Sequence, residues 1–426
     1  MRKTVRVPSM GSIAILSASA IAGGDVTISA VPDVAGLFGE PADISDSGVV
    51  VGTYSPFTGG SPKRGFVWTP GGALTTLEPI QDSTPVNVDN YDAIVTSVLP
   101  GGIAAGWSDT RFGIELNAAI WDVAGSPSAP FGGTVGSGGG TSTSFFSTIL
   151  GSNASGDFVG SREEGDGVLR GYIWRAGQPA PQLIDPPAGA FAAVARGVSN
   201  NANVVIEATV SGGNRGYFLD AAGNPAVDMG SLGGPGTQPL AVNDAGEAVG
   251  IAFATSSRRA GFYWTESDGI RAIPIGAPDT SNLTDINSRG DAVGSFRNFG
   301  SNERPILFNV RTQQVTFIDF LLSPSDREVW SLRSAVAINE NGQVIGTGIR
   351  DGQSQVYVLQ LPGYEPQNCS PADLAEPFGE LNFFDVAAFI GLYNAGDPAA
   401  DLAEPLGAIN FFDVAEYIAR FNAGCP

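Results

Sequence analysis

The residues whose types and spacing could do chemistry are carboxylates and amides near the C-terminal end. Two copies of one pattern, 28 residues apart, contain Asp373, Glu376, Asn382 and Asp385, and Asp401, Glu404, Asn410 and Asp413. Calcium takes about six to eight oxygen ligands, which carboxylates and carbonyls at short spacing can supply. Helix capping is the alternative use, with Asn382 as N-cap and Asp385 at the third helical position. Because Asp373, Glu376 and Asp385 recur together in both copies, the pattern favours weak calcium sites.

Histidine is absent from the whole sequence. Its absence excludes Ser-His-Asp and Cys-His nucleophile systems, histidine general bases and nearly all zinc sites. Acid–base chemistry would therefore rest mainly on carboxylates, tyrosine or arginine. The formal net charge is −21, from 43 acidic and 22 basic residues. A surface this acidic repels phosphate backbones and anionic lipid, so we expect no nucleic-acid partner and a preference for cations.

Two short amphipathic helices follow the repeated carboxylates. Apolar residues stand at helical spacing, at Val386, Phe389, Ile390 and Tyr393 in the first copy and at Val414, Tyr417, Ile418 and Phe421 in the second. Asn-Ala-Gly ends each helix. Helices this short can bury these stripes only against each other. We therefore predict one small all-α domain at residues 369–426, after a linker at 362–368.

The only two cysteines, Cys369 and Cys425, stand at the ends of this domain and in the same phase of its repeat. In an exported chain this placement predicts a disulfide that clasps the domain ends. Closing such a loop contributes on the order of 4 kcal/mol in the entropic description. Two free thiols are the alternative.

A doubled loop of Asp, Gly, Asn and Asp that enters a helix resembles the dockerin module, whose paired loop-helix units bind calcium in an EF-hand-like way. Asn-Phe-Phe-Asp-Val and the final Gly-Cys-Pro are similar to the Gly-Cys-ended dockerins of planctomycete-type bacteria. The resemblance implies docking of residues 369–426 onto a cohesin-like or other envelope or surface protein. It also implies these side-chain calcium ligands: Asp373, Asn382, Asp385, Asp401, Asn410 and Asp413.

The loops depart from the regular dockerin pattern. Ala375 and Pro377 stand where a regular loop has acidic or amide ligands, and the repeated loop is one residue longer than usual. Glu376 and Glu404 compensate only if the extra residue turns them inward.

An eight-residue figure, Asn-x-x-Gly-x-x-Val-Gly, recurs in better or worse form before residue 362. Its copies start at positions 45, 99, 153, 200, 243, 287 and 339. Asparagine bonds its own backbone and glycine accepts positive φ, so each copy predicts a hairpin turn between two strands. An aromatic-rich third strand and a weaker fourth follow. Seven such units predict an all-β seven-bladed propeller with four-stranded antiparallel blades over residues 23–361, with residues 25–30 completing the last blade.

Tryptophans recur at equivalent places in the third strands, at Trp68, Trp121, Trp174 and Trp264. One large aromatic per repeat is typical of the core of a radially repeated fold. A sugar-stacking platform is the alternative. The asparagine series likewise favours turn chemistry over ligand contact.

The turn figure with its aromatic strand resembles the HAF family of extracellular repeats, named for a His-Ala-Phe triplet. Arg64-Gly65-Phe66 and Ala260-Gly261-Phe262 occupy the triplet position here, and residues 228–234 match the family's lead-in. Histidine is replaced in every copy, so any role of that histidine is absent. The resemblance covers residues 25–361 and implies an exported β-repeat protein of unassigned activity.

Residues 1–22 predict a secretory signal peptide. Arg2, Lys3 and Arg6 precede a small apolar stretch that ends in an Ala-x-Ala cleavage site. A disordered tail is the alternative. No later stretch approaches the roughly 20 apolar residues of a membrane span. We expect a bacterial protein that is secreted, periplasmic or held at the cell surface.

The sequence favours an exported, non-catalytic binding or structural protein. Its propeller presents a ligand- or protein-binding surface, with a glycan as one candidate ligand, and its C-terminal module anchors it through calcium. A glycoside hydrolase is the alternative, because that chemistry needs only two carboxylates. Glu163, Glu164 and Glu207 are candidates, but no pattern selects them.

Overall fold

The computed structural model divides the chain into two compact units, Met1–Leu361 and Pro362–Pro426. The division falls where the composition changes after Leu361. The predicted signal peptide, residues 1–22, lies outside the described residues. Those are residues 26–32, 38–55, 62–80, 91–110, 115–122, 124–128, 130, 146–255, 258–275, 280–298, 301–364, 370, 372–375, 381, 383–403, 407 and 409–424.

The described part of the first unit contains 28 strands in seven four-stranded antiparallel sheets. The strand that comes first in the chain is β1 (Thr27–Ala30). Sheet 1 consists of β2 (Phe38–Ile44), β3 (Val50–Ser55), β4 (Arg64–Trp68) and β5 (Leu74–Leu77). Sheet 2 consists of β6 (Ala93–Leu99), β7 (Ile103–Thr110), β8 (Glu115–Trp121) and β9 (Pro127–Ser128). Sheet 3 consists of β10 (Ser147–Ser152), β11 (Phe158–Glu163), β12 (Leu169–Trp174) and β13 (Gln182–Ile184).

The remaining sheets have the same strand order. Sheet 4 consists of β14 (Ala190–Val198), β15 (Val204–Val210), β16 (Gly213–Leu219) and β17 (Val227–Asp228). Sheet 5 consists of β18 (Thr237–Val242), β19 (Ala248–Phe253), β20 (Arg259–Thr265) and β21 (Gly269–Ala272). Sheet 6 consists of β22 (Thr280–Ile286), β23 (Asp291–Arg297), β24 (Arg304–Asn309) and β25 (Gln314–Phe317). Sheet 7 consists of β26 (Trp330–Ile338), β27 (Gln343–Arg350), β28 (Gln353–Gln360) and β1, after a short helix, α1 (Pro324–Val329).

The seven sheets pack side by side in a closed ring, a β-propeller-like fold. The first strand of each sheet packs against the preceding sheet, and β2 of sheet 1 packs against β26, β27 and β28 of sheet 7. Sheets 5 and 6 also share one parallel pairing, between Arg259 and Thr280. Strand β1 pairs antiparallel with β28, from Thr27 opposite Gln360 to Ala30 opposite Tyr357. The predicted completion of the last sheet by an N-terminal strand is therefore confirmed.

The closing glycine of the repeated figure has a steric cause. The first strand of each sheet contains a bulge, and the second strand pairs antiparallel with it at close range. At Gly160, an added Cβ atom would overlap the carbonyl oxygen of Thr148 and lie 2.9 Å from the Tyr172 hydroxyl. Glycines at the matching positions of other sheets meet the same obstacle: Gly52, Gly106, Gly250, Gly294 and Gly346.

Sheet 4 corrects one predicted repeat position. Its turn begins at Ser199, not Asn200, because the Ser199 N–H donates to the Asn203 carbonyl and the Ser199 Oγ accepts the Asn203 N–H at 3.2 Å. The closing position is consequently Ile206, which pairs with Ala195, and not Glu207. A serine in the first turn position, followed by two asparagines, displaced the predicted start by one residue.

The tryptophan series fits the core interpretation for three of its four members. Trp68, Trp121 and Trp264 are buried, and the Trp121 Nε1–H donates to the Glu78 carbonyl of sheet 1 at 2.7 Å. Trp174 is partly exposed and stacks on Phe158, with ring centroids 5.5 Å apart. These side chains pack between sheets and do not form a continuous exposed platform.

The described residues of the second unit include two helices, α2 (Phe383–Ala395) and α3 (Phe411–Ala423). Their contact centres on Phe389 and Tyr417, whose rings stack at 4.0 Å and 7°. The predicted stripe is wrong at Ile390 and Ile418, which are about half exposed. The residues of α2 that face the core include Leu392, and Ile390 lies outside this set. No helix in the described residues is long and apolar enough to cross a membrane.

Candidate functional site

In the second copy of the C-terminal pattern, Asp413 anchors its own loop. Its Oδ1 accepts the N–H groups of Leu402 and Ala403, both at 2.8 Å, and its Oδ2 accepts the Asn410 N–H at 2.6 Å. The Asn410 side chain accepts the Phe412 N–H at 2.9 Å and completes a capping box at the start of α3. These backbone donors, with Asn410 foremost, lower the pKa of Asp413. The capping alternative is therefore found in this copy.

The first copy repeats the same anchor. Asp385 is buried, and its Oδ1 accepts the N–H groups of Leu374 and Ala375, both at 2.8 Å. The last aspartate of each loop thus ties the start of the loop to the start of the helix that follows. A carboxylate used in this way satisfies backbone donors that would otherwise be buried without partners.

The other predicted ligands are only partly described. Asp373 is buried. Asp401 accepts the Gly407 N–H through Oδ2, whereas its Oδ1 is buried and has no hydrogen-bond partner among the described residues. Glu376, Asn382 and Glu404 lie outside the described residues, as do the predicted disulfide partners Cys369 and Cys425.

The described oxygen atoms of these side chains do not complete a calcium site by themselves. The part of the chain that the structure describes contains no group of three acidic, histidine or cysteine side chains arranged to hold a metal. In the second copy, Asp413 and Asn410 are already bonded to backbone groups. Among the described side chains of this copy, Oδ1 of Asp401 is therefore the oxygen best placed for a cation. Calcium binding by these loops stays a prediction.

The charge balance of the second unit favours an added cation. Residues 362–426 contain ten Asp and Glu residues and one basic residue, Arg420. Arg420 pairs with Glu416 at 2.8 Å and donates to the Leu402 carbonyl at 3.3 Å. The carboxylates of Asp373, Asp385 and Asp413 are nevertheless buried. Buried negative charge is costly unless it is paired, hydrogen-bonded or metal-bound.

An exposed apolar face recurs on both helices of this unit. We name it the phenylalanine face, and it consists of Phe383, Phe384 and Ile390 on α2 and Phe411, Phe412 and Ile418 on α3. Phe383 and Phe411 are 77% and 74% exposed. Contiguous exposed apolar side chains mark interaction surfaces more often than single ones do. Sequence reasoning missed this face, although two adjacent helical phenylalanines, about 100° apart, cannot both join one narrow buried stripe.

In the first unit, the turn asparagines join neighbouring sheets. The Nδ2 groups of Asn153, Asn243 and Asn339 donate to the carbonyls of Ser199, Asn287 and Ser45, at 2.8, 2.9 and 2.8 Å. Each Oδ1 accepts the N–H four residues on within its own turn. The predicted turn role is therefore confirmed, and the amide adds a bond to the next sheet. The Asn339 bond joins sheet 7 to sheet 1.

The candidate carboxylates for hydrolysis have structural partners. Glu207 is buried, and it accepts from Arg196 at 2.8 and 2.5 Å, from Asn214 at 2.5 Å and from Gln238 at 3.0 Å. Glu164 pairs with Arg162 at 3.3 Å. Glu163 lies at the end of β11, opposite Leu169. Nothing in this geometry singles out two of these carboxylates as an acid and a base across one bond.

Comparison with known proteins adds no assignment of activity. No family model and no curated protein matches this chain. TolB from Acinetobacter baumannii is a similar solved structure, with 11% identity and a TM-score of 0.38 over 76% of this chain and 79% of that one. An oligogalacturonate lyase from Vibrio parahaemolyticus has 11% identity and a TM-score of 0.45 over 80% and 100%. A prolyl endopeptidase has 13% identity and a TM-score of 0.45 over 76% of this chain and 46% of its own. None of these activities is assigned to the chain on this similarity.

Proposed function

We propose that this protein is an exported, non-catalytic binding protein. A seven-bladed propeller presents the binding surface, and the dockerin-like C-terminal unit attaches the protein to a partner in the bacterial envelope or at the cell surface. Calcium bound by the acidic loops supports the attachment. The signal-like N-terminus supports export. Glu164 pairs with Arg162 and Glu207 with Arg196, and these structural roles support a function without turnover.

The phenylalanine face is the observation that carries this proposal. Four phenylalanines and two isoleucines stand exposed at equivalent positions of two helices, in a unit with ten acidic residues and one basic residue. Leaving these side chains in water forgoes roughly 1.5–3 kcal/mol for each one that a partner could bury. The partner that fits this surface has an apolar groove with a basic rim, because charge complementarity steers association.

Retention of an envelope protein tests the attachment. Full-length protein is immobilised and exposed to an envelope extract of the producing bacterium, with calcium or with chelator. We expect one retained species in calcium, and its retention should fall roughly tenfold or more when Phe383, Phe384, Phe411 and Phe412 are all changed to alanine. Phe191→Ala, at an exposed position of β14, is the matched control and should retain the partner. Equal retention by the fourfold variant would contradict the proposal.

Calorimetric titration of the full-length protein tests the calcium sites separately. We expect calcium binding by the unmodified chain and binding roughly tenfold or more weaker in Asp401→Asn. That change removes the charge of a carboxylate whose Oδ1 has no partner among the described residues. Asp397→Asn, an exposed acid of the same unit, should bind as the unmodified protein does. Absence of calcium heat in the unmodified protein would remove calcium from the proposal and leave the docking face to be judged by retention alone.

A further inference from the structure

One position of the ring carries a charged residue in two sheets and an uncharged one in the others. It directly follows the bulge of the first strand. Asp43 occupies it in sheet 1 and Asp285 in sheet 6. The equivalent residues of the remaining sheets are small: Ser97, Gly151, Gly197, Ala241 and Ala337. The two aspartates therefore distinguish one sector of an otherwise repetitive inner wall.

Each aspartate joins two sheets. Asp43 accepts the N–H of Ile44 in its own strand at 2.8 Å and the N–H of Val98, on β6 of sheet 2, at 2.9 Å. Asp285 accepts the N–H of Ile286 at 2.8 Å and the N–H of Ile338, on β26 of sheet 7, at 2.9 Å. The aspartates thus satisfy backbone donors of a strand in the neighbouring sheet.

The turns beside these aspartates add two more carboxylates that join sheets. Asp46 of sheet 1 accepts the N–H of Glu340 of sheet 7 at 2.9 Å, and Glu340 accepts the N–H of Ser288 of sheet 6 at 2.9 Å. Asp285, Glu340 and Asp46 therefore link sheets 6, 7 and 1. Asp43 extends this chain of carboxylates to sheet 2. We name this sector, which includes the junction of the last sheet with the first, the acidic seam.

The charges acting on the seam are all of one sign. Asp43 is acted on by Asp46, and Asp285 by Asp43 and Glu340. Among the strands packed against β2 and β22, β6 carries no charged residue. Neither aspartate forms an ion pair, within the described residues, with the charged side chains of the other strands packed against them: Arg333 on β26, Arg350 on β27, Arg259 on β20, and Asp291 and Arg297 on β23. Burial, the main cause, raises the pKa of Asp43 to about 6 and that of Asp285 to about 7.

The two turn carboxylates shift in the same direction. Burial raises the pKa of Asp46 and of Glu340. For Glu340, the negative charges of Asp46 and Asp244 add to this effect. Ionisation of Asp43, Asp285 and Glu340 therefore becomes less favourable when the acidic neighbour of each loses its proton.

We propose that the acidic seam is a pH-sensitive closure of the ring, firmly held in mildly acidic surroundings and loosened towards alkaline pH. Between about pH 4 and pH 7 the folded seam binds more protons than the unfolded chain does, so its stability falls as pH rises through that range. Above it, sheets 6, 7 and 1 hold like charges close to one another, and no basic side chain in the described part of the chain pairs with them. An exported protein would in this way couple the firmness of its ring to the pH outside the cell.

Hydrogen exchange of the full-length protein at pH 5 and pH 8, expressed as protection factors, tests this closure. We expect β1 and β26–β28 of sheet 7 to lose roughly tenfold or more protection at pH 8. The strands of sheet 3, where glycine replaces the aspartate, should change less. In the Asp43→Asn/Asp285→Asn variant, the change in protection between pH 5 and pH 8 should be the same in sheets 3 and 7. Glu303→Gln, at an exposed site beside sheet 6, should keep the larger change in sheet 7. Equal changes in sheets 3 and 7 of the unmodified protein would overturn the proposal.

A second measurement applies even if the double variant does not fold. Carboxyl-carbon NMR of the unmodified protein, labelled at aspartate, reports each titration directly. Two aspartates that titrate above about pH 5.5 support the closure, because the ordinary aspartate pKa is about 3.9. Titration of every aspartate below about pH 5 would contradict it.

Discussion

The ring of sheets and the C-terminal unit are both built from repeats, but their polar side chains bond in opposite directions. In the ring, the amide of Asn339 reaches out of its own turn to the carbonyl of Ser45 in the next sheet. In the C-terminal unit, the carboxylate of Asp413 reaches back to N–H groups of its own loop. The turn amides of the first unit therefore join repeats, whereas the anchoring carboxylates of the second unit complete single repeats.

This difference determines where each unit is vulnerable. Sheets in the ring are held together by packing along whole strands as well as by the turn amides. The loss of one hydrogen bond therefore removes only a small part of the contact between two sheets. The two copies of the C-terminal unit meet mainly through the stacked rings of Phe389 and Tyr417 and the small apolar core around them. We expect the ring to unfold as a whole and the C-terminal helices to open separately.

Gly160→Ala should have the largest effect on the ring. The new Cβ atom would overlap the Thr148 carbonyl, and relief requires β10 and β11 to move apart. We expect the free energy of unfolding of the ring to fall by roughly 3 kcal/mol. All six tryptophans precede residue 362, so denaturation followed by their fluorescence reports the ring alone. Gly165→Ala, where the added atom meets nothing within 4 Å, is the control and should change stability by less than about 0.5 kcal/mol.

Asp385→Ala should come next, and it should affect only the C-terminal unit. The change leaves the N–H groups of Leu374 and Ala375 without their acceptor, at a cost of about 2 kcal/mol. Exchange in α2 should accelerate while tryptophan fluorescence stays unchanged. Asp385→Asn keeps one acceptor oxygen and should be milder, and Glu416→Ala, which removes a surface ion pair, should be milder still. A loss of ring stability in Asp385→Ala would refute the separation of the two units.

Asn339→Ser isolates the bond between sheets from the turn itself. Serine already serves at this turn position in sheet 1, where the Ser45 Oγ accepts the Val49 N–H at 3.0 Å, so the turn should survive. The bond to Ser45 is lost, and we expect the ring to lose about 1 kcal/mol. Asn298→Ser, at an exposed position after β23, controls for the substitution itself. If both variants lose the same stability, the turn amide contributes nothing to ring closure.

The two units should also respond to acid in opposite directions. The lowered pKa of Asp413 contributes stability above its unfolded pKa, and that stability is lost as pH falls through the folded pKa. Asp43 and Asp285, with raised pKa values, favour the ring as pH falls. Between pH 5 and pH 3 we expect exchange in α3 to accelerate relative to its intrinsic rate while ring fluorescence holds. Simultaneous loss of both signals would show that the units do not titrate separately.

Much of the ring could be predicted from sequence because its signals are local. Residues close together in the chain are enough to indicate each of three features: the Asn-to-Gly turn, the aromatic third strand and the N-terminal strand. The turn of sheet 4 begins one residue before its predicted start, because serine replaces the first asparagine of that turn. The bonds between sheets could not be predicted, since Asn339 and Ser45 are 294 positions apart.

The C-terminal unit was predicted less completely, for a related reason. Helical spacing located α2 and α3. The sequence raised capping by Asn382 and Asp385 as an alternative, and the structure shows this capping at the equivalent Asn410 and Asp413. The spacing could not tell which flank of the apolar stripe faces the partner helix, and Ile390 was placed on the wrong side. The burial of Asp43 and Asp285 also left no sequence signal, because it depends on three sheets meeting in the ring.

Native-state hydrogen exchange of the unmodified full-length chain at pH 5, in increasing urea, tests the central difference between the two units most directly. We predict one common opening free energy for the slowest amides of all seven sheets, and a separate, lower opening free energy for α2 and α3. Helices that exchange only when the ring opens, or a single sheet that opens while its neighbours stay protected, would contradict it.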